Sequence, residues 1–135
     1  NKYHEVRLTA IYILVYRYQK LKINSEQKQL VDFYLAQLDY VNNWDLVDSS
    51  CHHILGHYYL SKDKSLFYQL ADSGHLWKQR VAMISWMLRE IGNVDFEVEM
   101  EFLRKYYKTM PRTSLRYAIE KFDPELRRQL LKGEL

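Results

Sequence analysis

The chain has 135 residues, of which 27% are charged, and its formal net charge is +3 at pH 7. This length suits one compact domain, and the charge is too small to establish a polyanionic partner by itself. No apolar run approaches the roughly 20 residues of a membrane span, so we expect no membrane partner. The single cysteine, Cys51, excludes an internal disulfide framework and favours a cytoplasmic location.

Helical spacing of the apolar residues predicts an all-α chain, because β-branched alternation is nearly absent and only four glycines and two prolines occur. Asn, Asp and Pro mark the helix starts, and Gly marks several ends. The predicted helices run from about His4 to Lys20, from Asn24 or Ser25 with Gln27 in a capping box, from Asn42 or Asn43 to His57, from Asp63 to Gly74, from Leu76 to Ile91, from Asp95 through Leu103, from Pro111 to Phe122, and from Asp123 to Gly133.

The third predicted helix carries an unusual pair of side chains near its start. Asp48 falls among apolar residues, where an ordinary amphipathic helix has an apolar or small side chain. Trp44 lies four residues earlier, on the same helical face. One interpretation is structural, with Asp48 hydrogen-bonded to a neighbouring helix and Trp44 in the core. The other is that an aromatic surface and a carboxylate are presented together to a ligand.

A weak internal period links this position to three others. Four triplets of a charged, any and small residue recur early in predicted helices, at spacings of 41, 32 and 36 residues. They are Arg7-Leu8-Thr9, Asp48-Ser49-Ser50, Arg80-Val81-Ala82 and Arg116-Tyr117-Ala118. Such spacings are typical of two-helix repeats of the HEAT type, which predicts an α-solenoid with the charged residues on its concave face. The alternative is coincidence, since such triplets are common.

Five segments of the chain resemble the AlkD-type DNA alkylation repair glycosylases, a HEAT-like repeat family. They are HEVRLTAIYILV (4–15), DYVNNWDLVDSS (39–50), LWKQRVA (76–82), WMLREIG (86–92) and MPRTSLRYAIEKF (110–122). The resemblance implies excision of cationic N3- and N7-alkylated purines from double-stranded DNA, without extrusion of the base. We expect no cofactor, no metal and a monomer.

The resemblance also implies roles for individual residues. Asp48 matches the family's catalytic aspartate, which would stabilise the positive charge that develops on the deoxyribose and orient the attacking water. Trp44 and Trp86 match two tryptophans that line the family's cleft. Arg80 matches an arginine that contacts a phosphate and would favour ionised Asp48. Arg7 and Arg116, like His4 and Arg112, are either further DNA-backbone contacts or solvated residues.

The sequence departs from the family pattern at two places. The family has more chain before the segment that begins at His4, so we expect an N-terminal truncation of the single domain. The family also places roughly 30 residues between the segments that here end at Ala82 and begin at Trp86. In one continuous helix Trp86 would lie about 120° away from the face of Arg80. Either the chain lacks a repeat at this point or a segment between Ser85 and Trp86 is omitted. We expect the omission, with these two residues on different helices.

Other sites and functions are weaker interpretations. His53 and His57 have the i, i+4 spacing of some zinc ligands, but neighbouring Cys51 and His52 point elsewhere on a helix and no second ligand cluster is evident. We expect Cys51 to be a buried thiol. The alternatives to a glycosylase are a non-catalytic DNA-binding relative and a protein-binding helical scaffold.

Overall fold

The structure is a computed structural model that describes the backbone of residues 1–87 and 95–135 and the side chains of residues 1–85 and 95–135. All regular structure in these ranges is helical, which confirms the all-α prediction. The helices are α1 (His4–Lys20), α2 (Asn24–Ala36), α3 (Trp44–Asp48), α4 (Ser65–Ala71), α5 (Leu76–Met87), α6 (Phe96–Tyr106), α7 (Arg112–Ala118) and α8 (Pro124–Lys132), with a 3₁₀ turn at Leu38–Tyr40 and a π-helical segment at His52–Gly56. Among the described helices, none combines the length and the apolar character of a membrane span.

The predicted start and stop signals hold for several helices. α1 has the predicted bounds. Asp95 caps α6 by accepting a hydrogen bond from the backbone N–H of Val98. Asp123 caps α8, which ends at Gly133 in the left-handed conformation at φ 80°. These signals are local, because a side-chain cap satisfies N–H groups only a few residues away.

The prediction of one continuous helix from Asn43 to His57 is wrong. The α-helix ends at Asp48, and a turn at Ser49–Ser50 precedes the π segment, His52–Gly56. The Ser50 hydroxyl donates to the carbonyl of Leu46 at 2.6 Å, which gives that carbonyl a side-chain partner. Back-bonding of this kind competes with regular helix and bends it.

Three other predictions of helix bounds need correction. α4 ends at Ala71, short of the predicted Gly74. Asn24 is the first residue of α2 and not its cap, and the side chain of Gln27 donates to the carbonyl of Leu21 instead of closing a capping box. α7 ends at Ala118, short of Phe122. The predicted end of the fifth helix at Ile91 lies outside the described residues.

α1, α3 with the π segment, and α5 run side by side in the same direction, and we call these three the row. Near their starts, His4 of α1 contacts Asp45 of α3 at 2.7 Å. Near their ends, the Tyr18 hydroxyl of α1 is hydrogen-bonded to His57 at 2.9 Å. Because the contacts advance along both helices together, the helices are parallel. α2 and α4 carry the chain back between successive members of the row.

A continuous core lies under the row. The side chains of α3 and the π segment that point inward are fully buried, and those of α4, α6 and α7 extend the same cluster. The fully buried side chains include Tyr34, Leu46, Ile54, Phe67, Phe102 and Leu115. Tyr34 of α2 reaches the Ser50 hydroxyl at 2.7 Å, which fixes the end of α3 against the returning helix.

The structure has Ser85 and Trp86 as consecutive residues of α5. The expectation that they lie on two different helices is therefore wrong for this chain. Val81 and Ile84 are buried and give the helix an apolar face that continues up to Ser85, so the local pattern supports an uninterrupted helix. Whether a repeat is omitted at this point stays a prediction.

Candidate functional site

Asp48 and Arg80 face each other across the row. The Arg80 Nε donates to Oδ1 of Asp48 at 2.8 Å, and Nη2 donates to Oδ2 at 2.5 Å. The two side chains are 29% and 20% exposed, so the pair lies at the surface yet is partly shielded from water. The hydrogen bond to Asp48 is the main cause that raises the pKa of Arg80. The predicted proximity of these residues, 32 positions apart, is confirmed.

Asp48 owes its position to the way α3 begins and ends. The side-chain oxygen of Asn43 accepts the backbone N–H of Trp44, so the helix starts at Trp44. One turn later the backbone leaves the α-helix at Ser49, and the buried Ser50 hydroxyl holds the end of the turn. Leu46 and Val47 anchor α3 in the core, which leaves Asp48 on the face toward α5.

Trp44 is exposed rather than buried in the core. Its side chain is 62% exposed, which is unusual for the largest apolar residue. It lies four residues before Asp48 in α3, so the indole and the carboxylate share one side of the helix. Of the two interpretations of Trp44, the structure excludes a core role. The site therefore presents an open aromatic surface one turn from the paired carboxylate.

Arg7 holds the chain just before α3. Its Nη1 donates to the carbonyl of Tyr40 at 3.1 Å and to the side-chain oxygen of Asn42 at 2.7 Å. Together with the contact between His4 and Asp45, these bonds fasten the start of α1 to the start of α3. The guanidinium of Arg7 thus supports the segment that carries Trp44. Its predicted contact with DNA stays a prediction.

α7 extends the site beyond α5, against which it packs. Arg116 is exposed on this helix. Its neighbour Tyr117 is 63% exposed and lies close enough to Arg80 to contribute to the raised pKa of that residue, after the larger effect of Asp48. The sequence analysis missed Tyr117, although it occupies the middle of a repeated triplet and is one of the exposed aromatic residues.

The cysteine and histidines of the π segment do not form a metal-binding cluster. Within the part of the chain that the structure describes, no group of three or more His, Cys, Asp or Glu side chains could hold a metal ion. Cys51 is fully buried, which confirms the buried thiol, and burial raises its pKa to about 12. His57 is engaged with Tyr18, and the rings of His52 and His53 lie 3.8 Å apart.

The backbone of Trp86 continues α5, but its side chain lies outside the described residues. Its predicted place beside Asp48 is therefore untested. The described part of the site consists of the Asp48–Arg80 pair, the exposed Trp44 and Tyr117, and the exposed Arg116.

A comparison with protein-family models matches the chain to the family described as DNA alkylation repair enzyme. The match has two segments, residues 1–85 and 83–122. They overlap only at 83–85, immediately before Trp86. No curated protein and no solved structure matches the chain. The two segments together include every residue of the described site.

Proposed function

The chain belongs to the DNA alkylation repair enzyme family, and on that premise we propose that it is a DNA glycosylase for cationic N3- and N7-alkylated purines in duplex DNA. The observation that carries the proposal is a surface carboxylate, Asp48, held by Arg80 one turn from an exposed Trp44. A core carboxylate would be buried, and a core tryptophan would not be 62% exposed. Both features suit a site that meets a large flat ligand.

The chemistry needs little more than one fixed negative charge. An N-alkylated purine already carries a positive charge, so it leaves readily when the bond from its nitrogen to C1′ breaks. The bonding electrons stay with the base, which departs neutral, and positive charge develops on the deoxyribose. A carboxylate 4 Å away stabilises that charge by about 4 kcal/mol at an effective dielectric near 20, against about 1 kcal/mol in water. Asp48 would supply this charge and orient the water that attacks C1′, with the water's proton passing to solvent.

Arg80 would serve two partners at once. A guanidinium has five N–H donors, and Asp48 engages Nε and one proton of Nη2. The opposite edge, formed by Nη1 and Nη2, keeps the geometry for a second bidentate acceptor such as a phosphate. Arg80 would thus tie the DNA backbone to the catalytic carboxylate, and position the strand without reading its sequence.

The aromatic and basic residues around the pair would complete the binding surface. Trp44 would lie against the deoxyribose and exclude water from the reacting bond, so that the lesion need not be extruded. Trp86 would join it only from a helix other than α5, as the omitted repeat would allow. Arg116 would contact a phosphate, and Arg7 would do so beside its role in holding the segment before α3.

The arrangement of helices supports a HEAT-like solenoid as the scaffold. The parallel row, with α2 and α4 returning between its members, is what stacked two-helix repeats produce. We propose a single domain of this kind, with one repeat omitted between Ser85 and Trp86. The junction of the two matched family segments at residues 83–85 supports the missing repeat. Resequencing of the coding region across Ser85 and Trp86 tests whether the repeat is encoded there, and an uninterrupted codon order would show that the natural chain lacks it.

The activity is tested by release of 7-methylguanine from methylated duplex DNA under single-turnover conditions. We expect the wild-type chain to release it and Asp48→Asn to be slower by a factor on the order of 10² or more, because one preorganised charge is lost. Both should bind the duplex. Asp45→Asn is the matched control, since it removes a carboxylate one turn away that His4 engages. Equal rates for wild type and Asp48→Asn would refute the role of Asp48, and a wild-type chain that binds DNA without releasing base would favour a non-catalytic relative.

A further inference from the structure

Two members of the row approach each other closely at Gly56, the last residue of the π segment. Gly56 is buried, and a Cβ added to it would lie 2.8 Å from the backbone oxygen of Ser85 in α5. Ordinary van der Waals contact begins at 3.4 Å. The obstructing atom is a backbone carbonyl of a helix, which cannot rotate away as a flexible side chain would. Any larger residue at this position must therefore move α5 away from the π segment.

This close approach lies next to the Asp48–Arg80 pair. Ser85 follows Arg80 by five residues, which is about 7.5 Å along α5. The two helices are thus joined at one point by an ion pair and, little more than a turn further on, by backbone contact. A change of spacing at Ser85 must alter the spacing at Arg80, because α5 is a continuous helix between them.

We infer that Gly56 is a positioning residue, which sets the distance between α3 and α5 at which Asp48 and Arg80 pair. The catalytic consequence rests on the proposed function, whereas the geometric one does not. An added methyl group requires a displacement of about 0.6 Å to reach ordinary contact. A misplacement of about 1 Å can cost a factor of 10² in rate, even when substrate still binds.

The kinetic test compares Gly56→Ala with Gly133→Ala. Gly133 lies at the end of α8 at φ 80°, with no atom within 4 Å of an added Cβ. Its replacement strains the backbone without touching the row. We expect Gly56→Ala to lower the single-turnover rate of base release about tenfold or more while duplex affinity is retained. Gly133→Ala should keep both. Equal rates for Gly56→Ala and Gly133→Ala would overturn the catalytic part of the inference.

A second readout needs no activity. The Arg80 Nε proton, identified in the NMR spectrum by its absence in Arg80→Lys, reports the bond to Asp48. We expect slow exchange of this proton with water in the wild-type chain and faster exchange in Gly56→Ala. Unchanged exchange in Gly56→Ala would overturn the geometric inference. A wild-type chain with a protected Arg80 proton but no base release would refute the glycosylase proposal alone.

Ser85→Thr keeps the inference testable should Gly56→Ala fail to fold. It adds a methyl group to the fully buried side chain of Ser85, beside the carbonyl that faces Gly56, and it retains the hydroxyl. We expect a smaller loss of rate and a smaller gain in Arg80 proton exchange than for Gly56→Ala. A folded Ser85→Thr protein with wild-type values of both would count against the inference.

Discussion

Two carboxyl groups in different parts of the molecule show how position decides what a carboxylate can do. Asp48, between α3 and α5, is 29% exposed and accepts two hydrogen bonds from Arg80. Glu99 on α6 is only 4% exposed, and its burial raises its pKa from 4.5 to about 7. A bidentate guanidinium is the preferred partner of a charged carboxylate. A buried carboxyl group that loses its water instead retains its proton.

The difference separates a group suited to charge stabilisation from one that is part of the core. Near neutral pH much of the Glu99 population is protonated and offers no fixed charge to a cationic transition state. Asp48 instead combines access to solvent with a bidentate cationic neighbour, so its oxygens lie where a ligand can reach them. Sequence alone does not distinguish them, since both lie among apolar residues within a helix.

The strongest test of the comparison between Asp48 and Glu99 is how the free energy of unfolding depends on pH. Between pH 4.5 and about 7 the folded chain retains a proton on Glu99 that the unfolded chain has released. The contribution of protonated Glu99 to the free energy of unfolding is therefore fully present below pH 4.5 and is lost as the pH rises through about 7. The loss amounts to about 3 kcal/mol of the free energy of unfolding. Glu99→Gln should remove this dependence and be more stable than wild type at pH 8, as measured by urea unfolding.

Glu101→Gln is the control for that experiment. Glu101 lies on the same helix but is exposed, so its replacement should leave the pH dependence of wild type unchanged. A Glu99→Gln protein that still loses stability between pH 5 and pH 8 would mean that Glu99 does not carry the effect.

Arg80→Ala should have the next largest effect on stability. It leaves the partly shielded Asp48 carboxylate without its two donors, which we expect to lower the free energy of unfolding by about 1–3 kcal/mol.

Arg80→Ala should also weaken duplex binding evenly across sequences and lower the salt slope of binding by about one unit. Arg80→Lys, which keeps the charge but loses the planar fork, should retain the salt slope. A change in sequence preference with an unaltered slope would contradict a phosphate contact.

Trp44→Ala should have the smallest effect on stability. A side chain that is 62% exposed contributes little to the core, so the free energy of unfolding should change by less than about 0.5 kcal/mol. Base release should nevertheless slow. Leu46→Ala, two residues away and fully buried, is the contrasting variant, since a cavity there should cost about 2–5 kcal/mol. A strongly destabilised Trp44→Ala protein would assign Trp44 to the fold and remove the main reason to place it in a binding surface.

Local chemistry made much of the fold predictable. The bounds of α1, the cap at Asp95 and the left-handed Gly133 all depend on residues within one or two turns of each other. The break after Asp48 could not be read from the apolar pattern, because it depends on the Ser50 hydroxyl and on its contact with Tyr34 from another helix. The protonated Glu99 was likewise missed, although it shares the stripe of Leu103 and Tyr106.

The candidate site was predictable only in part. Trp44 and Asp48 emerged from spacing within one helix, whereas the partnership of Asp48 with Arg80 came from the weak repeat that spaces them by 32 residues and from the family resemblance. Tyr117 required the packing of α7 on α5. The expectation that Trp86 lies on a different helix from Ser85 was wrong, because a continuous apolar face allows α5 to extend through Ser85.

The contacts between the helices of the row bear on how the chain folds during its synthesis. They join residues separated by 41, 39 and 32 positions, each linking one member of the row to the next. Each of these contacts closes a loop of a few tens of residues, so none of them needs the C-terminal part of the chain. The chain emerges from the ribosome with its N-terminus first, so Asp48 and Arg80 can meet once α5 is free, while later helices are still being synthesised. We therefore expect the ion pair to form early, during translation.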